Sequence, residues 1–277
     1  MTTERERHLK PGVDAEPVHK FEKQRFHIRG GDRDFELVEI KSPEFSDALL
    51  MCFPGFRIDG EKETEHVHAG MNRQYDTASI RGYGEMYSRD AVFAAITNAI
   101  QNIGPGRQVV LHGTSFGAGV IYDFITDPHN RDVLRQYVAG VILETPVLDK
   151  RHLSSMLRQR SDVWLTESAH IFGRAFGDVQ SHQSSSYDSM IPEALREKTQ
   201  EKIITLPLHI VFAENDFLVD NEKTLTTLRQ QAEGQEVTTE TVPHRKGNRH
   251  KIADPAAVRN SEAKAVERFC RMTKISS

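Results

Sequence analysis

Residues 113–117 read Gly113-Thr114-Ser115-Phe116-Gly117, a serine with a glycine two positions away on either side. Val109, Val110 and Leu111 precede it, and the run from Val120 to Ile125 follows. The first run is short and β-branched, as a buried strand is, whereas the second has the longer apolar spacing of a helix. Ser115 therefore stands on a tight strand-to-helix corner, where Gly113 and Gly117 remove side chains that would collide as strand and helix pack. Such a corner pushes the hydroxyl outward. It also sets the Phe116 amide at a helix N-terminus, where unpaired N–H groups and the helix dipole favour a developing negative charge. These are the requirements of an acyl-transfer nucleophile. The plainer alternatives are a serine that caps a helix and a phosphate-binding loop. The loop fails because no Lys-Ser/Thr pair follows and Gly-x-Gly-x-x-Gly is not satisfied.

A serine hydroxyl is a weak nucleophile at neutral pH and needs an adjacent base, and the imidazolium formed when a histidine takes its proton needs a carboxylate. In parallel-sheet enzymes such groups stand just beyond the carboxyl ends of strands. The residues in those positions are Gly55 and Phe56, Ser115, Asp216, and His244 or His250. Asp220 is a second acid candidate, with a structural role at the start of the next helix as its alternative. His66 and His68 flank Glu65, but residues two apart diverge on a helix and no further ligand spacing is present, so no metal site and no cofactor are expected.

The elements that must position these residues alternate along the chain. Residues 24–29 and 35–40 alternate apolar and polar positions around Gly30-Gly31-Asp32, which predicts an antiparallel hairpin at a sheet edge. Residues 48–53 and 109–111 are apolar runs of strand length, 77–80, 139–146 and 208–213 are read as further strands, and 237–242 as a last strand. Between them, Val92, Phe93, Ile96, Ile100 and Ile103 recur at helical steps, and a further helix is expected from about 221 to 232. Pro255 opens the final helix, with Val258, Ala265, Val266, Phe269 and Met272 on its apolar face. Strands alternating with helices predict a mostly parallel sheet with helices on both faces. The alternation stops at residues 148–202, where Trp164, Leu165, Ile171, Phe172 and Phe176 sit in helix-like pieces. That stretch is too long for a bare loop and is expected to be an inserted helical cap between residues 21–147 and 203–277 of the core. Residues 1–20 mix charge with Pro11, Gly12 and Pro17 and are expected to form a flexible arm.

The 277 residues carry a net charge of −4 with both signs interspersed, so no nucleic-acid surface is indicated and a small-molecule partner fits better. Cys52 and Cys270 lie far apart in apolar contexts and are expected to be reduced core thiols. No apolar stretch has membrane length and residues 1–20 lack a signal-peptide core, so a cytoplasmic location and no membrane span are expected. Oligomeric state is not readable.

The order Ser115, Asp216, His, with the serine on a Gly-x-Ser-x-Gly corner, resembles the α/β-hydrolase superfamily over about residues 24–273. The resemblance implies an eight-stranded, mostly parallel sheet with Ser115 as nucleophile, a histidine as general base and then acid, and Asp216 orienting it. It favours His250 over His244, because family members place the histidine a few residues before a proline-initiated helix. Pro54-Gly55-Phe56 stands where the family commonly has His-Gly, which implies that the Phe56 amide joins that of Phe116 in an oxyanion hole. Arg81-Gly82-Tyr83-Gly84, with Ser79 two residues before Arg81, resembles a structural signature of the family and carries no chemistry. The expected function is a serine hydrolase cleaving an ester or thioester through an acyl-enzyme. The alternatives are an acyltransferase using the same intermediate and a catalytically silent ligand-binding protein on the same fold.

Overall fold

A computed structural model of the chain describes residues 21–43, 46–55, 60–71, 73–82, 88–148, 203–216, 218–232, 234–245 and 248–276, with the side chains of 248–251 and 274–276 excepted. The arm at 1–20, nearly all of the expected cap at 148–202, and Phe56 lie outside the described residues.

The apolar runs form an eight-stranded sheet in the order β1-β2-β4-β3-β5-β6-β7-β8. The strands are β1 Lys23–Gly30, β2 Arg33–Ile40, β3 Ala48–Phe53, β4 Asp76–Arg81, β5 Gln108–Thr114, β6 Val138–Glu144, β7 Leu208–Ala213 and β8 Val237–Val242. β2 runs antiparallel to both β1 and β4, and the remaining pairs are parallel. The sheet is therefore mixed but mostly parallel, as expected. β3 and β7 are buried along their whole length, which is why their sequences read as unbroken apolar runs rather than as alternation.

Parallel neighbours require crossovers, and the described helices in them are α1 Gly60–Gly70, α2 Arg89–Ile103, α3 Phe116–Thr126, α4 Arg131–Tyr137 and α5 Asn221–Gln231, while α6 Pro255–Ser276 follows the last strand. Odd and even residues of each strand go to opposite faces. Leu49, Met51, Val109, Leu111, Val141 and Leu143 meet α2 and α3 on one face, while Leu50, Cys52, Val110 and Ile142 meet α1 and α6 on the other. Each large apolar side chain so buried contributes about 1.5–3 kcal/mol. α6 lies close on β6: a Cβ at Gly140 would stand 2.3 Å from the Phe269 ring.

The structure differs from the sequence-based expectations in three places. α4 was not anticipated, because Val133 and Leu134 are its only buried apolar side chains, too few for a helical period. β8 is not the last strand: β9 His244–Arg245 and β10 Asn248–Ile252 form a separate antiparallel pair. Four of the five residues of β10 are polar, so it carries no strand signal, and His250 stands on a strand instead of in a loop. Met272, expected on the apolar face of α6, is 38% exposed, and Arg271 and Thr273 beside it are exposed too. Cys52 is buried and Cys270 is half-buried, both in the thiol form. Among the described residues no helix is long and apolar enough to cross a membrane.

Candidate active site

Ser115 occupies the single residue between β5 and α3, with φ 54° and ψ −111°. A helix-capping serine adopts the extended region and accepts a bond from the first turn. Ser115 does neither, since its side chain makes no capping bond to α3. An L-residue held at positive φ is strained, and such strain persists only where the surroundings over-determine it. Here the surroundings are backbone. The Ser115 N–H donates to the Glu144 carbonyl at 2.8 Å, and the Ser115 carbonyl accepts from the Gly119 and Val147 amides at 3.3 and 3.5 Å.

The flanking glycines act as the sequence suggests. A Cβ on Gly113 would stand 2.7 Å from the Ala118 Cα, inside the first turn of α3. A Cβ on Gly117 would stand 2.0 Å from the carbonyl oxygen of Phe53 and 2.6 Å from that of Pro54. The start of α3 is thus wedged against the chain leaving β3, the chain that continues to Phe56. Phe116 is the first residue of α3, and the first turn contains no acidic residue, so the positive end of the helix dipole is not neutralised from within that turn.

Strain is concentrated along one edge of the sheet. Among the described residues, four that are not glycine have positive φ: Arg73, Ser115, Thr145 and Asn215. Three of them follow the consecutive parallel strands β5, β6 and β7 within two residues. Thr145 was not singled out from the sequence. A β-branched residue at φ 45° is a genuine outlier, and no local sequence signal announces it.

Asp216 lies in the turn after β7, half-buried, and its Oδ1 accepts from the Leu218 amide at 2.8 Å. Ser115 and Asp216 therefore stand at the carboxyl ends of β5 and β7, separated by the width of β6, with adjacent strands about 4.8 Å apart. Asp220 accepts from the Lys223 amide at 3.0 Å and caps α5, the structural role open to it. The β9–β10 hairpin that carries both histidines packs on the end of β7, where Ile252 joins Val211, Ala213, Val242 and Val258. His244 is half-buried on β9, and its Nδ1 is buried without a hydrogen-bond partner among the described residues. His250 is placed on β10 by its backbone, and its side chain lies outside the description. Ser115, Asp216 and the strand of His250 are thus at one end of the sheet.

Beneath the corner lies a charged cluster that sequence reasoning missed. His112 on β5, Glu144 on β6, and Arg259 and Glu262 on α6 are all buried or nearly so. Arg259 Nη1 lies within 3.2 Å of His112 Nε2, Glu144 Oε2 and Glu262 Oε2. One donor atom from each of His112, Glu144 and Glu262 falls within 4.8 Å of the others, a donor set that suits a divalent cation in chemistry. The guanidinium already holds the central position among them. Burial opposes charge on His112, but the facing Glu262 carboxylate, with Cys52 on the adjacent strand, pushes it up to about 10. Burial likewise opposes charge on Glu262, yet Arg259 and His112 prevail and hold it down to about 2. A signal existed in the sequence. His112 interrupts an apolar strand, and Glu262 falls four residues after Val258 on the apolar stripe of α6.

His68 has a structural environment: its Nδ1 lies 3.1 Å from the Tyr75 carbonyl, and burial lowers its pKa. His66 is exposed on the same helix.

No family model matches the sequence, and no curated protein matches it. The structure is similar to many solved structures. One comes from a study of two fungal esterases from Rhizomucor miehei, with a TM-score of 0.67 and 13% identity, covering 93% of this chain and 85% of that one. An esterase from Pyrococcus furiosus gives 0.64 and 14%, with 90% and 91% covered. Naproxen esterase from Bacillus subtilis gives 0.59 and 11%, with 88% and 91% covered. The sheet order, the strained strand-to-helix corner and these likenesses lead to one conclusion: the chain has the α/β-hydrolase fold.

Proposed function

We propose that the protein is a serine hydrolase that cleaves a carboxylic ester or thioester through an acyl-enzyme on Ser115. The observation that carries this reading is the conformation of Ser115. It occupies a helix-cap position in a strained backbone state without capping the helix, and the strain is held by bonds to Glu144 and by the wedge of Gly117 on Phe53. A structural serine gains nothing from that arrangement, whereas a nucleophile gains an outward hydroxyl.

In the proposed reaction His250 takes the Ser115 proton as the oxygen attacks the acyl carbon, and Asp216 orients the imidazole and stabilises its charged form. The tetrahedral oxyanion accepts bonds from the Phe56 and Phe116 amides, aided by the N-terminus of α3. His250 then protonates the departing alcohol or thiol. Water, deprotonated by the same histidine, releases the acid. The substrate is a small molecule.

Labelling with a fluorophosphonate probe tests the reading. The wild type is expected to label, and Ser115→Ala and His250→Ala to lose the label. Labelling that survives in Ser115→Ala sinks the proposal. Loss in His244→Ala with retention in His250→Ala moves the base to His244. Incubating the acyl-enzyme with alcohols and amines separates hydrolysis from acyl transfer.

A further inference from the structure

The Ser115 backbone is strained, so something rigid must hold it, and its amide is held by the carbonyl of Glu144 at 2.8 Å. That carbonyl belongs to the last residue of β6, whose side chain passes to the α6 face. There Arg259 Nη1 donates to Glu144 Oε2 at 2.9 Å. The same nitrogen stands 3.2 Å from Nε2 of His112, three residues before Ser115 on β5, and Glu262 binds both Arg259 and His112. Arg259 Nη2 lies 3.8 Å from Glu63 of α1, the helix that follows the Phe56 segment. α6 itself begins five residues after His250. The guanidinium therefore bonds Glu144, whose carbonyl accepts from the Ser115 amide, and shares Glu262 with His112, so that the ends of β5 and β6 are tied to α6. Room for it is made by Gly70 at the end of α1, where a Cβ would stand 2.6 Å from the Arg259 Cγ.

We infer that Arg259 is a positioning residue for the Ser115 corner, its guanidinium clamping the carboxyl ends of β5 and β6 to α6. The inference rests on Ser115 being the nucleophile. Stability alone does not account for the cluster, since buried ion pairs are often matched or exceeded in stability by apolar residues of the same volume. What a five-donor planar fork supplies is a fixed geometry among several acceptors, which lysine cannot reproduce.

The test compares wild type with Arg259→Lys in two assays. The first is the rate of fluorophosphonate labelling, resolved into probe binding and the bond-forming step and normalised to folded protein. The second is amide hydrogen exchange in peptides spanning residues 113–117 and 142–147. The clamp requires a bond-forming rate lower by on the order of 100-fold in Arg259→Lys with probe binding little changed, as for a nucleophile slightly misplaced. It also requires faster exchange in both peptides. Partial recovery of labelling when guanidinium ion is added to Arg259→Ala further supports it. A lower melting temperature with unchanged labelling and unchanged exchange overturns it and leaves Arg259 a plain stabilising residue. If the wild type does not label at Ser115, the catalytic reading fails, and the exchange comparison still decides whether Arg259 clamps the corner. Should Arg259→Lys not fold, Glu144→Gln, which leaves the Arg259–Glu262 pair in place, is read by the same criteria.

Discussion

Gly117 and Phe53 approach so closely that a single added carbon on Gly117 would lie 2.0 Å from the Phe53 carbonyl oxygen. The atoms in the way are backbone and cannot swing aside. Gly117→Ala must displace either α3 or the end of β3, at a cost of about 1–3 kcal/mol. The expected fall in melting temperature is roughly 3–10 °C, with slower fluorophosphonate labelling. Gly31→Ala is the comparison for backbone strain without a clash: nothing lies within 4 Å of its added carbon, but its φ of 62° makes an L-residue there cost about 1 kcal/mol. Equal melting temperatures for Gly117→Ala and wild type would show that the wedge is not tight.

Ser115 at φ 54° trades stability for geometry. Glycine takes such a conformation without steric cost, so Ser115→Gly is expected to be about 1 kcal/mol more stable than the wild type while losing all labelling. Urea denaturation measures the first effect. A destabilised Ser115→Gly contradicts the assignment of strain to this residue.

Thr145 at φ 45° stands at the end of the strand between those of Ser115 and Asp216, and its amide donates to the Val211 carbonyl at 2.7 Å. Thr145→Gly keeps that bond and removes the crowded Cβ, so a gain of about 1 kcal/mol is expected here too. The comparison of unfolding midpoints is direct, and a loss greater than about 1 kcal/mol would mean that the threonine side chain contributes more than its backbone strain costs.

Arg89, the first residue of α2, bridges Asp123 Oδ2 at 3.2 Å and Asp127 Oδ2 at 2.5 Å, the two carboxylates being nearly buried. Arg89→Met leaves both facing each other without their cation, and a loss of about 3 kcal/mol is expected. A urea midpoint indistinguishable from wild type would refute the importance of this pair.

His112 and Glu262 stand 3.0 Å apart, and their protonation sets a pH dependence. His112 is raised from 6.5 to about 10, so its contribution to stability is complete below pH 6.5 and is lost as pH rises through about 10. Glu262 is lowered from 4.5 to about 2, so its contribution is complete above pH 4.5 and is lost as pH falls through about 2. Both are present in full between pH 4.5 and 6.5. Arg259 on α6, Glu144 on β6, Glu63 on α1 and Cys52 on β3 surround the pair. Burial raises Glu144, so its ionisation also weakens the fold as pH rises. The urea midpoint of the wild type is expected to fall from pH 6.5 to 10, and His112→Gln to flatten that slope. A wild-type midpoint constant over this range rules out a charged His112.

The core of the fold was legible because its signals are local. β3 and β7 are apolar without interruption, α2 repeats at helical steps, and Gly113 and Gly117 bracket Ser115 at a spacing with one simple steric explanation. Strand-end placement of Asp216 follows from the same periodicity. α4 and the β9–β10 hairpin were illegible because one shows only two buried apolar residues and the other's two strands are mostly polar.

The sequence by itself determined which residues are chemically able to act and which elements carry them, since side-chain type and period are properties of neighbouring positions. Only the tertiary structure decided that Ser115, Thr145 and Asn215 share one strained edge. It alone brought Arg259 to the side chains of His112 and Glu144, residues 147 and 115 positions away. Those relationships exist because parallel strands bring their carboxyl ends together and a helix from the end of the chain crosses back over them. Contacts made by a crossover leave no period in the sequence to read.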